Sequence, residues 1–228
     1  MEKQDNPLNY RGIVINSCIG KLFTKILNSR LNEYLAKRNV IPIEQIGFTK
    51  KKRTVYHMFI LRSLVEQHTK RGSKPLYSCF IDFRKAFNSV WLQGLFYKMR
   101  QIVKEIYSKT KLCVKSANSL TNFFQYNVGV RQGDNPRPNV FTIFTHDIQK
   151  ELDSSYYPVL LNKTPLSCLL YADDMILLSS SADGLQASLE KLSKYCSQLN
   201  LKINYDKTKC LIFNTNGRLL NSKFTIKF

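Results

Sequence analysis

Cys168-Leu169-Leu170-Tyr171-Ala172-Asp173-Asp174-Met175-Ile176-Leu177-Leu178 sets two adjacent acids between two short apolar runs. Runs of this length, bounded by polar residues, read as strands, and the interruption reads as the turn of a hairpin. The predicted hairpin carries carboxylates at its tip. Adjacent carboxylates in a poorly solvated place repel, and one of them stays protonated unless a cation holds both. Upstream, Lys74-Pro75 punctuates the chain before Leu76–Phe83, a second apolar run with a single acid, Asp82, at its end. Three carboxylates on neighbouring strands suit a pair of Mg²⁺ ions. Two such ions stabilise both the attacking and the leaving oxygens of a phosphoryl transfer.

Helical spacing fills the rest of the chain. Ile19, Leu22, Phe23, Ile26, Leu27, Leu31, Tyr34 and Leu35 predict an amphipathic helix over roughly 18–38, ended by Asn39-Val40-Ile41-Pro42. After the basic loop Lys50-Lys51-Lys52-Arg53, Thr54 reads as an N-cap for a helix with Val55, Met58, Phe59 and Arg62 on successive turns. Ala86–Arg100 is expected to be helical and Phe123–Val130 a strand. Phe141, Phe144, Ile148 and Leu152 mark another helix, and Leu185 to Leu199 form a helical stripe after Ser181. Asn214-Thr215-Asn216-Gly217, between Leu201–Phe213 and Lys223–Phe228, is a hairpin signal. Strands and helices mixed in this way, with hairpins, predict an α+β fold rather than a doubly wound sheet.

The 228 residues carry 35 Lys and Arg against 16 Asp and Glu, a net charge of +19. Such a field attracts polyanions, nucleic acid first and an anionic membrane surface second. No apolar run approaches the ~20 residues that cross a bilayer. The start, Met1-Glu2-Lys3-Gln4-Asp5, lacks the apolar stretch of a signal peptide, so the chain is read as intracellular. The six cysteines, at 18, 79, 113, 168, 196 and 210, include no C-x-x-C pair. Most sit inside apolar stretches and are read as buried, reduced thiols acting as small hydrophobes, with no zinc site and no disulfides.

Taken singly, each signal has an ordinary explanation. A lone Asp at a strand end is usually a turn or cap residue, and Asp-Asp is usually a solvated turn. Lys50–Arg53 is an ordinary solvated loop, and Arg131-Gln132-Gly133-Asp134 an ordinary turn. Their order along the chain carries the reading.

Tyr171-Ala172-Asp173-Asp174 between apolar runs resembles the catalytic turn of reverse transcriptases, and the resemblance extends over nearly the whole chain. Asn9-Tyr10-Arg11-Gly12-Ile13 with Ser17–Phe23 resembles the opening fingers motif of non-LTR (LINE-type) retrotransposon enzymes. Gln45-Ile46-Gly47-Phe48-Thr49-Lys50 through Thr54 resembles their second fingers motif. Phe80-Ile81-Asp82-Phe83-Arg84-Lys85-Ala86-Phe87 is similar to the palm strand with the first metal ligand. Gly129-Val130-Arg131-Gln132-Gly133-Asp134 resembles the loop that supports template and nucleotide. Leu201-Lys202-Ile203-Asn204 and Lys207-Thr208-Lys209 resemble the segment after the catalytic hairpin.

The resemblance implies a right-hand palm, an antiparallel sheet backed by helices, with helical fingers and the thumb missing. Residues 1–74 would be fingers and 75–228 palm, with fingers elements interleaved at about 95–125. It implies a Mg²⁺-dependent (or Mn²⁺-dependent) RNA-directed DNA polymerase acting on an RNA template, a DNA primer and dNTPs. Asp82 and Asp173 would be the principal metal ligands, assisted by Asp174, with the main-chain carbonyl of Phe83 completing one shell. Phe87 would be the steric gate against a ribose 2′-OH. Lys50, Lys52 and Arg53 would grip the triphosphate, Gln132 and Gly133 would contact nucleotide and template, and Lys207 or Lys209 would protonate the leaving pyrophosphate. A nuclear or cytoplasmic ribonucleoprotein is the implied location.

The departures are Asn88 where the family usually has Asp, and Pro136-Arg137-Pro138 where it usually has Leu-Ser-Pro. Pro136, which fixes φ and removes a donor, and Arg137, a long cation in place of a small hydroxyl, are expected to distort the active-site loop, and the chain reads as a partial copy clipped at both ends. Two competing readings follow: a catalytically dead polymerase-like remnant that only binds nucleic acid, and a viral RNA-dependent RNA polymerase, against which Phe87 and Tyr171–Asp174 argue.

Overall fold

The computed structural model describes residues 15, 17–49, 51–70, 74–98, 111–116, 119–125, 129–130, 135–153 and 157–214. At its centre is a four-stranded antiparallel sheet. Strand β1 is Leu76–Ile81; after four two-residue strands (β2 Lys111–Leu112, β3 Lys115–Ser116, β4 Ser119–Leu120, β5 Phe124–Gln125) come β6 Val159–Leu161, β7 Thr164–Leu166, β8 Cys168–Tyr171, β9 Asp174–Ser179 and β10 Lys209–Phe213. The order across the sheet is β10-β1-β9-β8. The carboxylate-tipped hairpin is β8–β9, with Tyr171 opposite Asp174.

Each face of the sheet has its own core. Cys79 and Ile81 from β1 and Met175 and Leu177 from β9 point to one side. There they meet Phe141 and Phe144 of helix α4 (Arg137–Phe144), Ile148 and Leu152 of α5 (Ile148–Asp153) and Leu185, Leu189 and Leu192 of α6 (Ala182–Gln198). Leu76, Leu169 and Leu178 point to the other, against Leu64 of α2 (Thr54–His68) and Val159 of the β6–β7 hairpin. A strand buried on both faces reads as a continuous apolar run, which is how β1 and β9 appear in the sequence. The α+β expectation and the antiparallel sheet backed by helices therefore hold.

Helix α1 (Cys18–Lys37) matches its predicted span, and the Ser17 hydroxyl caps it by accepting from the Gly20 N–H at 3.1 Å. It is tied to α4 by Asn139, whose side-chain amide donates to Asn28 at 2.7 Å and Asn32 at 2.9 Å. Ser181 likewise caps α6 through the Gly184 N–H at 3.0 Å. Pro136 and Pro138 lie at the start of α4, Pro136 as its N-cap. A proline costs little there, because the first-turn N–H groups have no partner in the helix anyway.

Several expectations need correction. Arg53, not Thr54, is the N-cap of α2. The stripe Val55, Met58 and Phe59 faces outward, while His57 and Leu64 are the buried residues of that helix. Ala86–Arg100 divides into a 3₁₀ turn, Ala86–Asn88, and α3, Leu92–Lys98. The 141–152 helix is two helices, broken at Thr145–Asp147. Of the expected strand at 123–130, only Phe124–Gln125 is strand among the described residues, while 123, 129 and 130 are not. The Asn-Gly turn, Lys223–Phe228 and the 9–13 motif lie outside the described residues. One pair of cysteines stands against the expectation of no disulfides. Cys79 stands opposite Cys210 in the β1–β10 ladder, with a Cα separation of 4.1 Å that brings their sulfurs within reach of a disulfide. Spacing along the chain could not reveal this, because the pairing follows from strand register between residues 131 apart. Among the described residues Cys18, Cys113, Cys168 and Cys196 form no disulfide, and Cys18 is exposed rather than buried.

Candidate active site

Asp82 is the residue after β1, and Asp174 is the first of β9. Ile81 pairs with Met175, so the two acids leave the same end of adjacent strands. Asp173 occupies the two-residue turn beside them. The sheet thus brings Asp82 to the same end of its central strands as Asp173 and Asp174, which come much later in the sequence. Their mutual influence is visible at Asp174, whose carboxyl is raised above the usual range by burial first, then by the charges of Asp173 and Asp82.

Asp82 is held by the segment after α6. Asn204 donates its main-chain N–H to the Asp82 carbonyl at 2.7 Å and its side-chain amide to the Asp82 carboxylate at 2.8 Å. The Asp82 N–H donates to the Thr208 hydroxyl at 3.4 Å. Phe83 bridges Ile203, and the Arg84 N–H reaches the Lys202 carbonyl at 2.7 Å. Sequence reading placed Asn204 and Thr208 in a motif without giving them this task. Lys207 lies in the same turn and is exposed.

The tip of the β8–β9 hairpin is held from the other side. Residues 44–46 run along β8, an edge strand, with Gln45 bridged in parallel to Leu170. The loop beyond them carries Lys52 and Arg53, both exposed. A cavity of about 260 Å³ separates the start of α2 from the sheet, lined by Thr54, His57, Met58, Phe80, Tyr171 and Asp174 among others. The basic loop therefore enters α2 beside the acids. His57 is held below its usual pKa, first by burial and also by the charge of Lys52, against a hydrogen bond with the Glu44 main chain.

Phe87 is half-buried in the 3₁₀ turn after Asp82, and its carbonyl accepts from the Val130 N–H at 2.8 Å. Its ring sits 4.6 Å from that of Phe141, and the Arg137 guanidinium lies 4.1 Å from its centre. Lys50, Gln132 and Gly133 lie outside the described residues.

Carboxylate oxygens are the donors that Mg²⁺ and Mn²⁺ take, and a cation at this end of the sheet offsets the repulsion felt by Asp174. Among the described residues, no three His, Cys, Asp or Glu side chains meet closely enough to bind one ion by themselves. Mg²⁺ needs fewer, since it uses one or two carboxylates and completes its shell with water and phosphate oxygens. The acids therefore fit such an ion by donor type. Among the described residues, no helix is long and apolar enough to cross a membrane.

Comparison with known proteins identifies the family. Residues 1–224 match the family described as reverse transcriptase (RNA-dependent DNA polymerase). The chain is 29% identical over 219 residues to a probable RNA-directed DNA polymerase from transposon BS of Drosophila melanogaster, covering 90% of this chain and 24% of that protein. It is 25% identical over 249 residues to the RNA-directed DNA polymerase from mobile element jockey of Drosophila funebris, covering 96% and 26%. The chain thus spans about a quarter of the length of these relatives. Apo telomerase from Candida tropicalis, truncated from its C-terminal domain, superposes with a TM-score of 0.55 at 15% identity, over 85% of this chain and 40% of that one. At that identity the likeness is one of fold. The chain belongs to the reverse transcriptase (RNA-dependent DNA polymerase) family, and it is similar to RNA-directed DNA polymerases of transposons and mobile elements.

Proposed function

We propose that this chain is the fingers and palm of an RNA-directed DNA polymerase that adds deoxynucleotides to a primer 3′-OH on an RNA template. The observation that carries this reading is the placement of Asp82, Asp173 and Asp174 at the same end of the two central strands, in a chain of net charge +19. Cations on the chain attract the nucleic-acid backbone, while the acids serve a centre that must handle phosphate. Asp82 and Asp173 would hold the divalent ions, with Asp174 assisting and the Phe83 carbonyl contributing an oxygen. Bound there, two Mg²⁺ ions supply charge stabilisation for the attacking and leaving oxygens.

The chain's own groups do the rest. Asn204 and Thr208 fix Asp82 at its carboxylate, carbonyl and N–H. Lys52 and Arg53, with Lys50, would meet the triphosphate. Phe87 would exclude a ribose 2′-OH, and Lys207 is assigned the proton delivered to pyrophosphate. Gln132 and Gly133 are assigned to the nucleotide and template.

Primer extension by the purified chain on poly(rA)/oligo(dT), with Mg²⁺ or Mn²⁺, tests the reading beside an Asp173→Asn control. Incorporation of dTTP that the control lacks is the expected result. No incorporation, with salt-sensitive RNA binding retained, would instead favour a remnant that only binds nucleic acid.

A further inference from the structure

We infer that Gln45 positions the Asp173 turn through a two-point clamp on the main chain of Ala172; this rests on the polymerase reading of the acids. Only Ala172 and Asp173 separate the paired residues Tyr171 and Asp174. Ala172 takes φ 58, a left-handed conformation that a residue with a Cβ adopts rarely and keeps only where its surroundings enforce it. Gln45 supplies that enforcement. Its side-chain Nε2 donates to the Ala172 carbonyl at 3.2 Å, and its Oε1 accepts from the Ala172 N–H at 2.9 Å.

Oε1 also accepts from the Gly47 N–H at 2.9 Å. Two N–H groups converge on one end of the amide and a carbonyl on the other, so the amide's orientation is fixed by its partners. Gln45 is 2% exposed, so water does not compete for these bonds. The main chain on either side adds to the hold. The Ile46 N–H donates to the Leu170 carbonyl at 3.0 Å, and the Leu170 N–H to the Glu44 carbonyl at 3.1 Å. Gly47 lies so close that a Cβ there would stand 2.1 Å from the Ala172 nitrogen. Side chain and backbone together fix the turn from which the Asp173 carboxylate projects.

A buried polar clamp on the main chain of an acid turn is unnecessary for folding a two-residue hairpin, which glycine or asparagine would turn at lower strain. Its effect is to fix one conformer of the turn. The clamp is built by the segment that runs on to Lys52 and Arg53, so the position of that basic loop and the position of Asp173 are set together.

The test uses the whole chain and Mn²⁺ as probe, with binding followed by the loss of the free-ion EPR signal. Gln45→Met keeps the length and removes all three hydrogen bonds. Gln45→Asn keeps the amide and shortens its reach by one methylene. Leu64→Ala, in the core on the α2 side of the sheet, is the destabilised comparator. Each is measured where circular dichroism shows it folded. The expected result is at least a tenfold rise in the Mn²⁺ midpoint for both Gln45 variants and none for Leu64→Ala. A merely structural Gln45 would lower melting temperature and leave the midpoint of the folded protein unchanged, and that outcome overturns the inference. If one Gln45 variant fails to fold, the other decides. Asp173→Asn separates the two levels of the argument. Should the unmodified chain bind Mn²⁺ no better than Asp173→Asn, the metal reading has failed; should Asp173 matter and Gln45 not, only the clamp has.

Discussion

The Arg137 guanidinium stacks on Phe87, 4.1 Å from the ring centre, while Phe141 meets that ring at 4.6 Å. The sequence leads one to expect that Arg137 disturbs the active-site loop, whose residues 131–134 lie outside the described ones; its guanidinium packs on the ring proposed as the gate. A cation on an aromatic face contributes about 1 kcal/mol. Arg137→Ala should loosen the gate and raise ribonucleotide use about fivefold, the rate equivalent of that energy. Phe87→Val should raise it more, by tenfold or above. Competition between rUTP and dTTP on poly(rA)/oligo(dT) measures both. Equal discrimination in all three proteins would remove Phe87 from the gate role.

Asn204 holds Asp82 at both its carboxylate and its main chain, and only the carboxylate contact depends on the side chain. Asn204→Ala should therefore leave the fold in place and lower dTTP incorporation about tenfold, roughly 1.4 kcal/mol of positioning lost at the transition state. Asn204→Asp should be worse, since it sets a fourth acid against Asp82 at an end of the sheet already crowded with negative charge. Steady-state extension rates at saturating primer check the order wild type, Ala, Asp.

Asp174 stands among like charges, with its carboxyl raised by burial, then Asp173 and Asp82. Asp174→Asn removes that repulsion. In EDTA the variant should melt slightly higher than the unmodified chain, by about 1 °C given the site's exposure and screening. With Mg²⁺ added, the unmodified chain should gain more than the variant, and the order should reverse. Melting curves with and without the ion would show either the crossing or its absence.

The hairpin, β1 and α6 were legible because their apolar runs and caps are local signals: Leu76–Ile81, Met175–Leu178 and Ser181 each speak for themselves. The acids were legible for the same reason, as interruptions of apolar runs. The clamp was not. Gln45 opens the segment that resembles the second fingers motif, but its partner lies 127 residues away, so the local pattern does not reveal the contact. The Cys79–Cys210 pair escaped similarly, since register rather than spacing brings it together. On α2 the apolar stripe misled: Val55, Met58 and Phe59 are 64–70% exposed, whereas His57 is buried. Apolar composition marks a face as able to be covered, and here it is the other face that meets the sheet.

Lys98, Asp147 and Tyr195 tie three helical segments together behind the sheet. Lys98 Nζ donates to the Asp147 carboxylate at 2.7 and 2.9 Å and to the Phe144 carbonyl at 2.8 Å, and the Tyr195 hydroxyl donates to the same carboxylate. Burial alone would raise Asp147, but the hydrogen bonds from Lys98 and Tyr195 and the charge of Lys98 outweigh it and hold the carboxyl below the usual range. Hydrogen bonds to a charged group contribute about 2 kcal/mol each. Lys98→Met, which leaves the acid without its cation, should cost about that much, or roughly 4–8 °C in melting temperature for a chain of this size. Tyr195→Phe should cost less, about 1 kcal/mol. The pH dependence has a definite sign. A carboxyl depressed on folding contributes in full above its unfolded value of about 3.9 and loses that contribution as pH falls through the folded value. The stability gap between the unmodified chain and Asp147→Asn should therefore be constant from pH 6 to 8 and shrink below about pH 4. Urea midpoints across that range measure it, and a gap that widened on acidification would show that the carboxylate is not the stabilising form.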